Sequence, residues 1–172
     1  MSDWWLSKSG RRLMKQVDLR WPDRDHASDG AKGDDAHAQR PSDHNPSESS
    51  TPPGVVRAID IDADLGPPGA MQRLFGQLAN CAKTGRDGGR LAYLIYDGQI
   101  ASGTYQDTFW KPRPFDGDPH TNHLHVSFTS VGDHKGIKFD LPAFRAPGRI
   151  RRRIKYHRRQ ISQLLRRLAR IT

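Results

Sequence analysis

The stretch HLHVSF at His123–Phe128 alternates strictly between polar and apolar residues. Successive side chains of a β-strand point to opposite faces, so this pattern predicts a strand with Leu124, Val126 and Phe128 facing a core. The stretch AIDID at Ala58–Asp62 alternates in the same way, with its two isoleucines opposite its two aspartates. Each strand therefore combines a core-forming face with a face that bears metal-binding side chains.

The rest of the chain predicts short elements around this pair of strands. Apolar residues at helical spacing predict helices near 8–18 and over 70–84. Alternation and turn residues predict strands at 55–62, 91–96, 99–102 and 123–129. The polar stretch 22–54 is long for a simple connection, and we interpret it as a functional loop. The predicted fold class is α+β, with a small antiparallel sheet, flanking helices and a basic C-terminal helix.

The positive charge of the chain is concentrated at its C-terminal end. The formal net charge is +9, and residues 149–172 contain ten Lys or Arg and no acid. The remaining residues include 18 Lys or Arg and 19 Asp or Glu, which is close to neutral. Isoleucine and leucine spacing in 149–171 predicts a basic amphipathic helix. We therefore expect a domain at 1–145 and a tail at 146–172.

The tail and the body are expected to have different partners. Residues 149–172 either dock on the body or a protein partner, or bind anionic lipid, wall polymers or nucleic acid by charge. Nucleic acid is not an expected partner of the near-neutral body. The first residues, MSDWWLSKSGRR, lack the apolar segment of a signal peptide, so we expect synthesis in the cytoplasm and export by another route.

Metal-ligand chemistry converges on three residues. His44 lies in the long polar loop, and with Asp60 and His125 it supplies two imidazoles and one carboxylate. That set suits a catalytic zinc ion, which keeps a fourth position for water. Asp62 faces the same way as Asp60, so alternation alone leaves both as candidate ligands. The single cysteine, Cys81, excludes a cysteine-rich zinc site, and we expect it to be buried filler.

Two motifs in the chain correspond to one family. The first is Ser42-Asp43-His44, then Gly54, then Ala58-Ile59-Asp60, and the second is HTNHLH at 120–125. Together they resemble the signatures of the LAS metallopeptidases, which include lysostaphin-type enzymes, D-alanyl-D-alanine peptidases and the hedgehog signalling domain. The resemblance implies that His44, Asp60 and His125 bind Zn²⁺ on a hedgehog-like sheet. It also implies that the extra residues between His44 and Asp60 loop out.

The resemblance implies further roles around the metal. His123 would be the general base, with Asp118 as the alternative, and His120 would support the site or contact substrate. Arg40 would steady the substrate carbonyl, and Ser42 would lie beside the substrate. Trp110 is expected either in the core or as a wall of the substrate site.

The implied activity is hydrolysis of peptide bonds in the stem peptides of bacterial peptidoglycan. The protein would be a D-alanyl-D-alanine carboxypeptidase or an endopeptidase. It would be a phage endolysin that acts on the wall after release or as part of a virion. One alternative is a non-catalytic zinc domain of the hedgehog kind. The other is a basic nucleic-acid-binding or virion structural protein that works through its tail.

Overall fold

The computed structural model describes residues 4–104, 106–145 and 161. The helix predicted at 149–171 therefore lies outside the described residues, apart from Ile161. The described chain is a mixed α+β fold, as expected. None of its helices is both long and apolar enough to cross a bilayer.

A five-stranded antiparallel sheet forms the centre of the described fold. Its strands are β3 (Ala58–Asp62), β4 (Leu91–Tyr96), β5 (Gln99–Ser102), β6 (Arg113–Pro114) and β7 (His123–Phe128). They are arranged in the order β3-β7-β4-β5-β6. The turn at Asp97 and Gly98 joins β4 to β5, as predicted, and both residues have positive φ. Strand β6 was not predicted, because Arg113 and Pro114 lie in a polar stretch without alternation.

The strand predicted at 55–62 is two strands in the structure. Val55–Val56 forms β2, which pairs in parallel with β1 (Trp5–Leu6), whereas Ala58–Asp62 joins the main sheet as β3. Arg57 separates them: its backbone N–H donates to Asp43 O at 3.0 Å, and its guanidinium pairs with Asp133 at 2.7 Å. The prediction of one continuous strand was therefore wrong at Arg57. This residue instead contacts Asp43 and Asp133, which lie in two distant segments of the chain.

In the described part of the chain, four α-helices and one short 3₁₀ helix lie around the sheet. They are α1 (Lys8–Arg20), α2 (Asp35–Ala38), α3 (Ala70–Lys83), α4 (Val131–His134) and the 3₁₀ turn Pro142–Phe144. Ser7 caps the start of helix α1, because its hydroxyl accepts a hydrogen bond from the N–H of Gly10. Helix α3 buries the apolar face that its sequence predicts, including Cys81.

The core lies on the apolar face of the sheet. Ile59, Ile61, Leu124 and Val126 are fully buried, as the alternation predicts. Trp110 is only 6% exposed and belongs to this core cluster. Its backbone N–H donates to Ser102 O at 2.8 Å, so its position is tied to the end of β5. The structure therefore favours the core interpretation of Trp110 over a substrate wall.

Backbone hydrogen bonds attach the long polar loop at 22–54 to the strands. Gly30 forms a β-bridge with Asp60, and Ser47 forms one with Val55. Because Gly54 also donates to Ser47 O at 2.8 Å, residues 48–53 close as a loop with adjacent ends. The additional residues between His44 and Asp60 therefore loop out, as expected, and His44 remains beside β3.

Candidate metal centre

Three candidate ligand atoms meet on the polar face of the sheet. Asp60 on β3 lies directly opposite His125 on β7, and the loop brings His44 over both. His44 Nε2 is 3.1 Å from His125 Nδ1 and 3.3 Å from Asp60 Oδ2, and His125 Nδ1 is 3.1 Å from Asp60 Oδ1. These residues are the one group among the described residues that has metal-binding spacing.

The tautomer of His125 is set by hydrogen bonds on the side away from this cluster. Ser127 Oγ donates to Asp43 Oδ2 at 2.7 Å, so its single proton is engaged. The same hydroxyl lies 3.0 Å from His125 Nε2 and must therefore accept from it. With the proton on Nε2, the lone pair of Nδ1 faces His44 and Asp60.

The tautomer of His44 is set in the same way by the loop backbone. His44 Nδ1 contacts the carbonyl oxygen of Ala31, which can only accept, so Nδ1 carries a proton. The lone pair of Nε2 then points towards Asp60 and His125. Partners that orient ligand imidazoles in this manner are typical of metal sites.

Electrostatics at the cluster favour a positive charge at its centre. Burial alone would raise the pKa of Asp60, but the neighbouring His125 and His44 rings hold that pKa well below its usual range. Burial alone would lower the pKa of His44, yet the hydrogen bond and charge of Asp60 raise it above its ordinary value. Both shifts show that this cluster stabilises a positive charge beside the Asp60 carboxylate.

The donor set fits a zinc ion. Two imidazole nitrogens and one carboxylate oxygen are common ligands of catalytic zinc. Ligand atoms about 2.0–2.2 Å from a tetrahedral ion are roughly 3.3–3.6 Å apart, so the observed 3.1–3.3 Å needs only small shifts. Three lone pairs this close repel one another unless a proton or a metal lies between them. The cluster therefore has the chemistry of a metal-binding triad.

Asp62 does not join this triad, although it faces the same side of β3. Its Oδ2 accepts from the N–H of Ser28 at 2.9 Å, and its Oδ1 accepts from the N–H of Asp64 at 2.8 Å. The side chain is buried and anchors the loop to the strand end. Of the two aspartates that the sequence left open, Asp60 is the one in the cluster.

Exchanging each aspartate for asparagine should separate these two roles. Asp60→Asn is expected to weaken zinc binding about 10²-fold or more, because it removes a ligand charge from the triad. Asp62→Asn should keep zinc but lower the free energy of unfolding by about 1–2 kcal/mol, since one buried N–H loses its acceptor. Zinc titration and urea unfolding of both variants check this. The reverse pattern would assign the ligand to Asp62.

The hydrogen bonds from His125 to Ser127 and from Ser127 to Asp43 can be tested separately. Ser127→Ala should weaken zinc binding about 10–100-fold, the usual effect of removing a partner of a ligand imidazole. Asp43→Asn is the matched control, because its amide oxygen can still accept from Ser127, and a smaller loss is expected. Equal zinc affinity in wild type and Ser127→Ala would show that this chain does not orient His125.

His123 lies beside the triad, with its Nε2 atom directed towards Asp60. Its Nδ1 is 2.8 Å from Asn122 Oδ1, an acceptor in the assigned amide orientation, so Nδ1 carries the proton. Its Nε2 is 3.5 Å from Asp60 Oδ1, with the lone pair directed towards the cluster. Burial lowers the pKa of His123, which favours the neutral ring. The ring is therefore suited to accept a proton next to the metal position.

A cavity of about 440 Å³ opens over the triad. Four of the sequence-predicted residues line it together with the ligands: Arg40, Ser42, His120 and His123. Asp118 also lines it, and its side chain is 78% exposed, so it lies at the rim. The His120 ring centroid is 4.7 Å from that of His123, so the two imidazoles form one wall. The expected site residues thus share one cavity, except Trp110.

Two residues around the site were not identified from the sequence. Tyr93 lines the cavity and stacks on His125 with ring centroids 5.3 Å apart. Burial raises the pKa of Tyr93 to about 12, so its hydroxyl stays neutral. Asp43 belongs to the first motif without a predicted role of its own, and its contact with Ser127 gives it an orienting role. Neither role has a sequence signal, because both depend on contacts between distant segments.

Comparison of the chain with protein-family models, with curated proteins and with solved structures gave no match. The candidate site therefore rests on its own geometry.

Proposed function

We propose that this protein is a zinc-dependent peptidase that hydrolyses peptide bonds in the stem peptides of bacterial peptidoglycan. We further propose that its sheet corresponds to the hedgehog and D-alanyl-D-alanine peptidase fold, and that it acts as a phage endolysin. The motif resemblance supports the substrate class. The observation that carries the metal-dependent part is the convergence of His44 Nε2, Asp60 and His125 Nδ1, with both imidazoles oriented by other residues.

A zinc ion in this triad would polarise a scissile carbonyl and lower the pKa of a water molecule towards ~7. His123 then has the position of the general base, because its Nε2 lone pair faces the triad and its Nδ1 proton is held by Asn122. After accepting a proton from water, the same ring can deliver it to the leaving amine. Asn122 in turn donates to Ser28 Oγ at 3.2 Å, which holds the amide in the required orientation.

Arg40 and His120 supply the remaining polar groups for a peptide substrate. Arg40 is exposed at the cavity rim and offers a guanidinium to the negative charge that develops on a carbonyl oxygen during hydrolysis. His120 holds its Nδ1 against the carbonyl oxygen of Asp118, so its Nε2 is available on the cavity wall. The backbone of His120 has a φ of 50°, an uncommon conformation that is often found at functional sites.

Digestion of purified peptidoglycan, followed by mass spectrometry of the soluble products, tests the proposed reaction. We expect fragments that differ from the undigested stem peptides by cleavage of one type of peptide bond. Protein stripped with a chelator should release none, and added zinc should restore release. Intact stem peptides after prolonged digestion by the zinc-loaded protein would exclude this substrate.

The main alternative is a zinc domain without catalytic activity. It uses the same triad, so zinc binding does not distinguish the two functions. The position of His123 favours the catalytic function, because a structural site has no need for a proton acceptor beside its ligands. Loss of peptidoglycan hydrolysis in a His123 variant that retains zinc therefore separates them.

A further inference from the structure

A second surface of the protein carries an unusual set of side chains. Helix α1 presents Lys8, Arg11, Arg12, Lys15 and Leu19 on a single face, because positions 8, 11, 12, 15 and 19 recur at helical spacing. Lys8, Arg11 and Lys15 are exposed, and Leu19 is 74% exposed. We call this set, with the neighbouring residues 135–138, the α1 face. It shares no lining residue with the candidate metal centre.

The α1 face is concave rather than a flat helix surface. Residues 135–138 run along α1, held by Ser9 Oγ donating to Lys135 O at 2.7 Å and Arg12 Nε donating to Gly136 O at 2.7 Å. Between them lies a cavity of about 250 Å³, lined by the four cations of α1 and by Gly136. Lys135 and Lys138 are exposed beside it and extend the positive charge.

No carboxylate in the described part of the chain neutralises this face. The described acids nearest in sequence are engaged elsewhere: Asp18 with Arg24, Asp133 with Arg57 and Asp140 with Arg145. None of the four cations of α1 forms an ion pair with a described residue. The tail at 149–172 contains no acid either, so it has no side chain that could neutralise the face.

Exposed aliphatic side chains lie among these charges. Ile137, between Lys135 and Lys138, is 65% exposed, and Leu19 extends the stripe of cations on α1. Exposed large apolar side chains next to uncompensated cations are typical of surfaces that bind anionic membranes. A soluble polyanion would gain from the cations but would have no use for the aliphatic residues.

We propose that the α1 face docks the protein on an anionic phospholipid surface. Lipid phosphates occupy the cavity between α1 and residues 135–138, where Arg11 and Arg12 offer guanidinium groups to phosphate oxygens. Leu19 and Ile137 enter the boundary between head groups and acyl chains. This docking is independent of the tail and of the reaction at the metal centre.

Co-sedimentation with vesicles tests the proposal on the full-length chain. The vesicles contain phosphatidylcholine with about one third phosphatidylglycerol, at low salt. Each Lys or Arg near such a surface contributes about fivefold in binding, so Lys8→Gln combined with Lys15→Gln should weaken partitioning roughly tenfold or more. Lys83→Gln with Lys111→Gln is the matched control, since it removes the same charge from exposed positions outside the α1 face, and it should lose at most about twofold.

Two further measurements distinguish binding to a lipid surface from binding to other anions. Ile137→Asn should weaken vesicle binding about threefold or more without changing the net charge, whereas binding of a soluble DNA duplex should be unaffected by it. Circular dichroism and zinc content check that every variant is folded. Equal losses in the α1 pair and the control pair would overturn the proposal, because binding would then follow net charge alone. Binding to DNA with none to the vesicles would overturn it too.

Discussion

Replacing His123 with alanine is expected to leave the zinc content of the protein unchanged and to lower peptidoglycan hydrolysis by a factor of ~10² or more. The physical reason is the loss of a general base, which usually costs a reaction this much. His123 is not part of the triad, and its Nε2 faces Asp60 from 3.5 Å. Hydrolysis rates and elemental analysis of the same preparation measure both quantities.

The matched control is His26→Ala. His26 is an exposed loop histidine that pairs with Asp29 at 2.8 Å and does not line the cavity. Its removal should leave the hydrolysis rate within about twofold of wild type. If His123→Ala retained full activity, the base would have to be Asp118 or His120, which line the same cavity.

Replacing His125 with alanine is expected to weaken zinc binding by a factor of ~10² or more. Apparent binding free energies of about 10–16 kcal/mol are shared among four ligands in structural zinc sites, so one ligand contributes about 3 kcal/mol, or ~10² in Kd. The loss should be larger still here, because removal of the ring also leaves Ser127 and Asp43 without the imidazole that they orient.

Competition with a chromogenic zinc chelator gives the Kd of this variant. His123→Ala serves as the matched control, since it removes a neighbouring imidazole from the same strand and should keep wild-type zinc affinity. Full zinc occupancy in His125→Ala, with affinity equal to wild type, would contradict the assigned ligand set.

The strand faces around the site follow directly from the sequence. Alternation at Ala58–Asp62 and His123–Phe128 has a period of two, so it determines which side chains face the core once the strands form. Ile59 and Leu124 are accordingly buried, and Asp60 lies opposite His125 in the register. The candidate triad could be predicted because its two strand residues lie on faces that the pattern defines.

The role of Tyr93 could not be predicted, because β4 departs from alternation. The pairing of β4 with β7 shifts register between Leu91 and Tyr93, where a bulge is accommodated. Leu91 and Leu94 are both buried in the core as a result, although they are three residues apart. Tyr93 then lies opposite Ser127 and reaches His125. A bulge of this kind has no sequence signal in the stretch LAYLIY.

The break at Arg57 and the role of Asp43 depend on long-range contacts. Arg57 pairs with Asp133, 76 positions later in the chain, and Asp43 accepts from Ser127, 84 positions later. Periodicity describes neighbours within one element and carries no information about such pairs. Both pairs are known only from the three-dimensional structure, which places their distant segments next to each other.

Anomalous diffraction from crystals of the zinc-loaded protein, recorded on both sides of the zinc absorption edge, locates the bound metal and its ligands. We expect one anomalous peak per chain, within bonding distance of His44 Nε2, an oxygen of Asp60 and His125 Nδ1. The absence of a peak at this position, or a peak bound by Asp62 in place of Asp60, would contradict it.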